Sequence, residues 1–289
     1  MRIGNSFEEA MKHLAMEHLL DKMNGAIGAL IRFVTIAQRD GMEVKRIALS
    51  CLAMQLCGLP LSGKMFEGIA DAIARKQQAD GGWSDIEETV LACKYLSLFH
   101  SNEFVDSIDR AKKFLLLNRN IDGAWGRSQR DISRIPITAL LLYFMPKLRN
   151  DLTGQWMENA WRKDMSAETS LTYKGAFFLL AREAYQENSA EELAIDTCIY
   201  LSGEQNDDGG FAPWKNHPIG SDPWSTGIVL WGLSKWIDRV DPAVIERALH
   251  WLEVTQLPSG YWPYHYLDEG TSYALIGAVS AMRAMASRK

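Results

Sequence analysis

The chain has 289 residues, and its 31 lysines and arginines against 36 aspartates and glutamates give a net charge of −5. This weakly acidic balance argues against nucleic acid as a partner. Hydrophobic residues make up 47% and charged residues 23%, which is typical of a folded globular protein and excludes an intrinsically disordered one. The four cysteines, Cys51, Cys57, Cys93 and Cys198, form no paired motif, so we expect reduced, buried thiols.

The N-terminal segment, residues 6–22, is predicted to be an extra helix that braces the rest of the fold. Charged residues such as Glu8, Glu9 and Lys12 interrupt its apolar positions, so it does not read as a signal peptide. No apolar run is long enough to span a membrane. We therefore expect a cytoplasmic protein, with peripheral membrane contact left open.

A turn motif recurs along the chain. It is a glycine two residues before an aromatic side chain, and it occurs at Ala79–Trp83, Ile121–Trp125, Asp207–Phe211 and Pro258–Trp262. The glycines are spaced by roughly 40–50 residues or by twice that, which is typical of a repeat protein. The doubled gap indicates a degenerate copy near residue 166, and a further copy is expected at Gln38–Gly41. The sequence thus predicts six units.

Each unit is predicted to be a helical hairpin. An amphipathic stretch precedes the turn, at 64–78, 105–118, 191–201 and 242–255. A more apolar stretch follows it, at 45–57, 88–99, 135–145, 170–181, 225–236 and 271–285. A helix that is apolar nearly all round is buried, so six buried helices inside six half-exposed ones predict an all-α fold, an (α/α)6 toroid. We expect one domain over residues 1–289.

The repeats resemble the QW motifs of the squalene-hopene and oxidosqualene cyclase family and of class II terpene cyclases. The segment Arg247–Trp262 fits that pattern at every position, with Trp251, Gln256, Gly260 and Trp262 at its key sites. The other units fit less fully, with Phe211 for the tryptophan in one and Asn118 for the glutamine in another. The resemblance implies that each glutamine bridges consecutive helices. It identifies a fold that protein prenyltransferase β subunits share, so activity must be argued from the site.

The segment Asp85-Ile86-Glu87-Glu88-Thr89 stands where class II cyclases carry Asp-x-Asp-Asp-Thr. The resemblance implies that Glu87 donates a proton to an alkene or epoxide, with Asp85 and Glu88 as its flanking acids. Crowded carboxylates cannot all ionise together, so at least one pKa rises. Glutamates replace the family's aspartates here. The alternative is that these acids only cap the helix and favour its dipole.

Acids also stand at the other inner-helix starts: Asp131, Glu168, Asp222, and Asp268 with Glu269. If the toroid forms, they converge on one rim, where they would hold a cationic group, a metal or a polar substrate head. Each taken alone is more typical of an N-cap.

Extra aromatic residues lie in the last two units. Side chains predicted to bind substrate are Trp214, Trp224, Tyr261, Tyr264, Tyr266, His217 and His265, together with Asp222 and Asp268. Aromatic ring faces attract positive charge, which suits carbocation intermediates. The two histidines are candidates for the base that removes a final proton. Trp231 and Tyr273 are expected to be ordinary core residues.

No magnesium-binding acid motif and no zinc ligand set is recognisable, so the resemblance implies no metal and no other cofactor. Our leading hypothesis is a metal-independent, acid-initiated cyclisation of an apolar, isoprenoid-like or polyene-like small molecule. Known class II cyclases place the site between two barrels, so a homodimer, a partner or the N-terminal helix is expected to close the mouth here. The alternatives are a non-catalytic toroid that binds an apolar ligand or a protein partner, and a different natural-product tailoring reaction.

Overall fold

The computed structural model describes residues 3–41, 43–60, 63–99, 102–185 and 191–288, with side chains from residue 17 onwards except that of Asp40. These ranges contain twelve α-helices and no strand. The helices are α1 (Ile3–Asp40), α2 (Val44–Leu56), α3 (Lys64–Arg75), α4 (Ile86–Leu96), α5 (Val105–Leu117), α6 (Ile135–Phe144), α7 (Asp151–Met165), α8 (Thr172–Arg182), α9 (Glu191–Gly203), α10 (Pro223–Ser234), α11 (Pro242–Thr255) and α12 (Leu267–Ser287).

The even-numbered helices form a closed inner ring. Each contacts the next even-numbered helix along the chain, and α12 contacts α2 to complete the circle. The odd-numbered helices pack outside this ring, with only one face buried. Most of the residues of α4 and α10 are buried, whereas α5 buries only Ser107, Ala111 and Leu115. This arrangement confirms the predicted all-α toroid of six hairpins.

The first helix differs from its prediction. Residues 6–22 were expected to form a separate brace, but α1 continues without a break to Asp40 and is the outer helix of the first hairpin. Residues 6–16 of the predicted brace have no described side chains. Further along, Leu19, Met23 and Leu30 are buried, and the helix contacts α2, α11 and α12.

The repeated turns work as their glycines predict. Gly81, Gly123, Gly209 and Gly260 have φ between 87° and 95°, a region that favours glycine. A Cβ atom on Gly81 would also lie 2.6 Å from the carbonyl oxygen of Arg110. The aromatic residue two positions later then donates its backbone N–H to a threonine of the inner helix, at Trp83–Thr89, Trp125–Thr138, Phe211–Thr226 and Trp262–Thr271.

Glutamines tie consecutive units together, as the resemblance implies. The amide of Gln205 donates to the carbonyls of Gly209 and Val244 at 2.8 Å each, and Gln77 makes the equivalent pair of bonds. Gln256 donates to the carbonyls of Gly260 and Lys22. Since Lys22 lies on α1, this last bridge joins the sixth unit to the first.

Two glycines allow α10 and α12 to pack closely. A Cβ on Gly227 would lie 2.3 Å from the backbone of Tyr273, and one on Gly277 would lie 2.2 Å from the carbonyl oxygen of Gly227. No larger residue fits at either position without moving a helix. This contact fixes α12 beside α10. The first turn of α12 carries Asp268 and Glu269.

The prediction of four reduced, buried thiols holds for three of the four cysteines. Cys51, Cys93 and Cys198 are buried and free, whereas Cys57 is half-buried rather than buried. Within the described ranges, none of the helices has the length and apolar character needed to cross a bilayer.

Candidate active site

A cavity of about 670 Å³ lies at the N-terminal ends of the inner helices. All six inner helices, or the residues just before them, contribute to its wall, and the outer helix α7 completes one side. The cavity therefore lies where the axis of the toroid meets one rim. Because helix N-termini carry partial positive charge, six of them converging here favour negative charge in this space.

Glu87 reaches into this cavity from the first turn of α4. Only 13% of its side chain is exposed, and one carboxylate oxygen accepts a hydrogen bond from Lys45 Nζ at 2.9 Å. Burial raises the pKa of Glu87 above its ordinary value, although the ammonium of Lys45 acts in the opposite direction. The resemblance implies that Glu87 is the proton donor, and the carboxyl group of Glu87 lines the cavity.

A second acid lines the cavity beside the first. Glu269, in the first turn of α12, lies 3.8 Å from Lys45 Nζ and is 15% exposed. Burial lowers the pKa of Lys45, but the charges of Glu87 and Glu269 outweigh this effect and hold the pKa above its ordinary value. One ammonium thus lies between two carboxyl groups.

Asp85 and Glu88 do not line the cavity. Asp85 is the N-cap of α4, where its carboxylate accepts the backbone N–H of Glu88 at 2.7 Å. Glu88 is buried and accepts the backbone N–H groups of Lys45 at 2.8 Å and Ser84 at 2.9 Å. For these two acids the geometry matches the capping alternative, because their oxygens are used to hold the start of α4 against α2.

Aromatic rings form the wall beyond the acids. Trp224 meets Tyr173 edge-on with ring centroids 5.2 Å apart, and meets Tyr273 in the same way at 5.9 Å. Phe177 and Trp156 also line the cavity. Tyr273 was expected to be ordinary core. It is buried, but its ring forms part of this wall, because α12 turns that face towards the axis of the ring. Trp231 is buried away from the cavity, as expected.

Most of the predicted loop aromatics lie elsewhere. The ring of Trp214 packs on His217 at 4.1 Å, and the hydroxyl of Tyr261 donates to the carbonyl of Ala29 on α1. His265 packs on Tyr264 at 4.1 Å. None of these five side chains lines the cavity. Tyr264 lies outside the lining but stacks on a ring of the wall, because its ring is parallel to that of Trp224 with centroids 6.5 Å apart.

Asp222, Asp268 and Tyr266 also lie outside the cavity lining. Asp222 caps α10 through Ser225, and burial raises its pKa. Asp268 forms a two-point ion pair with Arg46, with Arg46 Nε 2.8 Å from one oxygen. The guanidinium of Arg46 in turn lies over the exposed ring of Tyr266, 4.6 Å from its centroid. Arg46 and Asp268 thus fasten α2 to α12 next to Lys45 and Glu269.

The mouth of the cavity is basic and open. Arg127, Arg134 and Lys163 line it and are exposed, and Ile132 is 76% exposed. Asp131 lies behind this edge, where its hydrogen bonds from Arg134 and the Arg127 backbone lower its pKa to about 2. Glu168 is exposed and does not contribute to the lining.

Sequence reasoning missed Lys45 and the side chains of α7. Lys45 lies in the first turn of the first inner helix, so its place at the N-terminal rim follows from the same rule that selected Glu87. The cyclase motif contains only acids and a threonine, so it gives no signal for a lysine at this rim. The α7 residues Trp156, Ala160 and Asp164 belong to the degenerate fourth unit, which offers no motif to place them.

Curated relatives are found by sequence comparison. The chain is 25% identical over 293 residues to drimenyl diphosphate synthase from Streptomyces showdoensis, and 27% identical over 309 residues to drimenyl diphosphate synthase from Streptantibioticus cattleyicolor. Each match covers 89% of this chain but only 53% and 56% of the relative. The chain therefore spans about half the length of these relatives. No protein-family model matches it.

Solved structures with the same fold cover nearly the whole chain. A variant of the type II terpene cyclase MstE from Scytonema, in complex with geranylgeranyl dihydroxybenzoate, matches 92% of this chain and 99% of its own, with a TM-score of 0.68 and 15% identity. The apo form of MstE gives a TM-score of 0.66, and a protein from Actinoplanes gives 0.63. The comparisons therefore confirm the resemblance to class II terpene cyclases that the repeat motifs indicated. The chain has the toroidal fold of these enzymes.

Proposed function

We propose that the protein is a class II-type terpene cyclase in which Glu87 starts the reaction by protonating an alkene. The observation that supports this most directly is the position of Glu87, whose carboxyl group opens into a cavity walled by aromatic rings. The protonated carboxyl gives its proton to one alkene carbon, and the neighbouring carbon becomes a cation. The conjugate base of Glu87 is then stabilised by Lys45 and by the helix N-termini at this rim.

The wall of the cavity suits the intermediates of such a reaction. Rings at Trp224, Tyr173, Tyr273 and Phe177 present π-electron density to a cation that migrates away from Glu87, and each contact contributes about 0.5–2 kcal/mol. The cavity volume of about 670 Å³ falls in the range of small-molecule sites. A terpene-sized substrate is therefore compatible with this space.

The substrate class follows from the chemistry of the cavity and from the relatives. The relatives are drimenyl diphosphate synthases, and the structural neighbour MstE binds a geranylgeranyl dihydroxybenzoate. An apolar isoprenoid chain fits the aromatic wall, and an anionic head fits the exposed basic residues Arg127 and Lys163 at the mouth. In this proposal the reaction needs no metal or other cofactor. Peripheral membrane contact and a dimer or partner over the mouth remain predictions.

A substrate panel tests the proposal. Farnesyl and geranylgeranyl diphosphate, the corresponding alcohols and geranylgeranyl dihydroxybenzoate are incubated with purified protein and EDTA, and products are identified by mass spectrometry. We expect a cyclised isomer of at least one substrate. Tight binding without any turnover would instead support a non-catalytic toroid that holds an apolar ligand.

The variant Glu87→Gln keeps the shape of the side chain but has no carboxyl proton, so it is expected to form no product. Glu183→Gln is a matched control, because Glu183 also pairs with a lysine, Lys235 at 3.4 Å, but does not line the cavity. This control is expected to retain full activity. Equal activity in the two variants would contradict the role of Glu87.

A further inference from the structure

Three charged groups from three different helices meet at the acidic end of the cavity. Lys45 lies in the first turn of α2, Glu87 in the first turn of α4 and Glu269 in the first turn of α12. Lys45 Nζ is 2.9 Å from a Glu87 oxygen and 3.8 Å from a Glu269 oxygen. Each side chain is less than one quarter exposed, so water screens their charges poorly.

The charges of this cluster do not balance when all three groups are ionised. Within the cluster, two carboxylates and one ammonium leave one negative charge without a counter-ion. Asp85, at the N-cap of α4, adds a further acid nearby, and Tyr273 on α12 is a neutral phenol. The other cations of the cavity wall are Arg127, Arg134 and Lys163, which are exposed at the mouth, and Lys174, which pairs with Asp164. Protonation of one carboxyl group removes the excess charge.

Resting on the proposed function, we propose that Glu269 is a positioning residue that holds the ammonium of Lys45 while Glu87 carries its proton, and releases it when Glu87 becomes anionic. Lys45 is then a shared counter-ion that rotates between two acids. This exchange reconciles two needs of a proton donor. Glu87 must be neutral before the reaction, and its conjugate base must be stabilised as soon as the proton has left.

The frame around the cluster fits this role. Arg46 and Asp268, the chain neighbours of Lys45 and Glu269, form the two-point ion pair that fixes α2 to α12. The backbone N–H of Lys45 is held by Glu88. The backbones are thus fixed on both sides of Lys45, and the lysine side chain is the part left to move.

Two substitutions shift the titration of Glu87 in opposite directions. Glu269→Gln removes a negative neighbour and commits Lys45 to Glu87, so the pKa of Glu87 falls. Lys45→Met removes the positive neighbour, so the pKa of Glu87 rises. A merely structural role for either residue does not produce opposite shifts. Glu183→Gln is the matched control, because Glu183 also pairs with a lysine, Lys235, but does not line the cavity, and it is expected to leave the titration unchanged.

The titration is measured in the resting protein by carbon-13 NMR of labelled glutamate carboxyl groups, with Glu87→Gln identifying the resonance. Glu269→Ala is a second variant should Glu269→Gln fold poorly, and circular dichroism checks each fold. Shifts in the same direction, or no shift in Glu269→Gln, overturn the proposal. Because this readout needs no turnover, it separates the two hypotheses: an inactive protein with opposite shifts refutes only the proposed function.

Cyclisation provides a second readout. Since the active form of Glu87 is protonated, its activity is lost as pH rises through the pKa of this group. In Glu269→Gln that loss moves to lower pH, and the rate at neutral pH falls by about tenfold and is recovered on acidification. In Lys45→Met the loss moves to higher pH. An unmoved pH profile in both variants of an active enzyme refutes the shared counter-ion.

Discussion

Glu87 and Glu88 are adjacent in the chain, but their carboxyl groups face different surroundings. Glu87 lines the cavity and pairs with the side chain of Lys45, whereas Glu88 is buried and accepts backbone N–H groups from Lys45 and Ser84. The helix turns by about 100° between consecutive residues, so one acid faces the cavity and the other faces the packed start of α2. We therefore expect Glu87 to serve the reaction and Glu88 to serve the stability of the fold.

Substitution of these two acids is expected to give opposite phenotypes. Glu87→Gln should abolish cyclisation, with a loss of about 10²-fold or more, while the free energy of unfolding stays within about 1 kcal/mol. Glu88→Gln replaces one accepting oxygen with an amide that cannot accept, so it should cost about 1–3 kcal/mol of stability. Urea denaturation and product assays check both variants. A stable, active Glu88→Gln would contradict the role given to Glu88.

The aromatic wall predicts a graded effect on rate. Trp224→Leu removes a ring that lines the cavity, so the cyclisation rate should fall roughly 2- to 30-fold, the loss of one ring–cation contact. Trp214→Leu is the matched control, because the Trp214 ring packs on His217 outside the cavity lining. Rates are compared at saturating substrate. Equal losses in the two variants would show that the wall assignment is wrong.

The close packing of α10 against α12 predicts that a larger residue at Gly277 lowers the stability of the fold. Gly277→Ala would place a Cβ 2.2 Å from the carbonyl oxygen of Gly227, so α12 must move, at a cost of about 1–3 kcal/mol or more. Gly203→Ala, at the end of α9, meets no atom within 4 Å and should be neutral or slightly stabilising. Thermal unfolding of both variants provides the comparison. Unchanged stability in Gly277→Ala would refute the close packing.

The bridge between the sixth unit and the first is the point where the outer ring closes. Gln256→Met removes the bonds to the carbonyls of Lys22 and Gly260 and should cost about 1–3 kcal/mol. Asn118 replaces the motif glutamine in another unit, and within the described part of the chain its amide donates only to the carbonyl of Phe114 in the preceding helix. Asn118→Leu is therefore expected to destabilise the protein less than Gln256→Met in urea denaturation. The reverse order would contradict the bridging role.

The repeats made the fold and the position of Glu87 predictable, because turn glycines and apolar periodicity are local features. A helix that starts after such a turn must place its first residues at one rim, and Glu87 lies there. Glu269 follows from the same rule, because it lies at the start of another inner helix and was expected on the same rim. The pairing of Glu87 and Glu269 with Lys45 was not predictable, because these residues are far apart in sequence and only the closure of the ring brings them together.

The loop aromatics show the opposite case. Trp214, Tyr261 and Tyr266 were predicted to bind substrate because they are extra aromatic residues in the last two units, but the direction of a loop side chain depends on what packs against it. Tyr261 turns to α1 and Tyr266 covers Arg46. The contribution of α7 to the cavity wall was not predictable either, because the degenerate fourth unit lacks the turn motif that marks the helices of the other units.

Turnover in deuterium oxide with EDTA shows directly whether Glu87 delivers the proton that starts the reaction. Glu87 exchanges its acid proton with solvent, so protonation of the alkene by this residue transfers a single deuterium to the product, which mass spectrometry detects. The account predicts a cyclised product that carries this deuterium in the wild-type protein and no product in Glu87→Gln. A product without deuterium, or a deuterated product from Glu87→Gln, would contradict it.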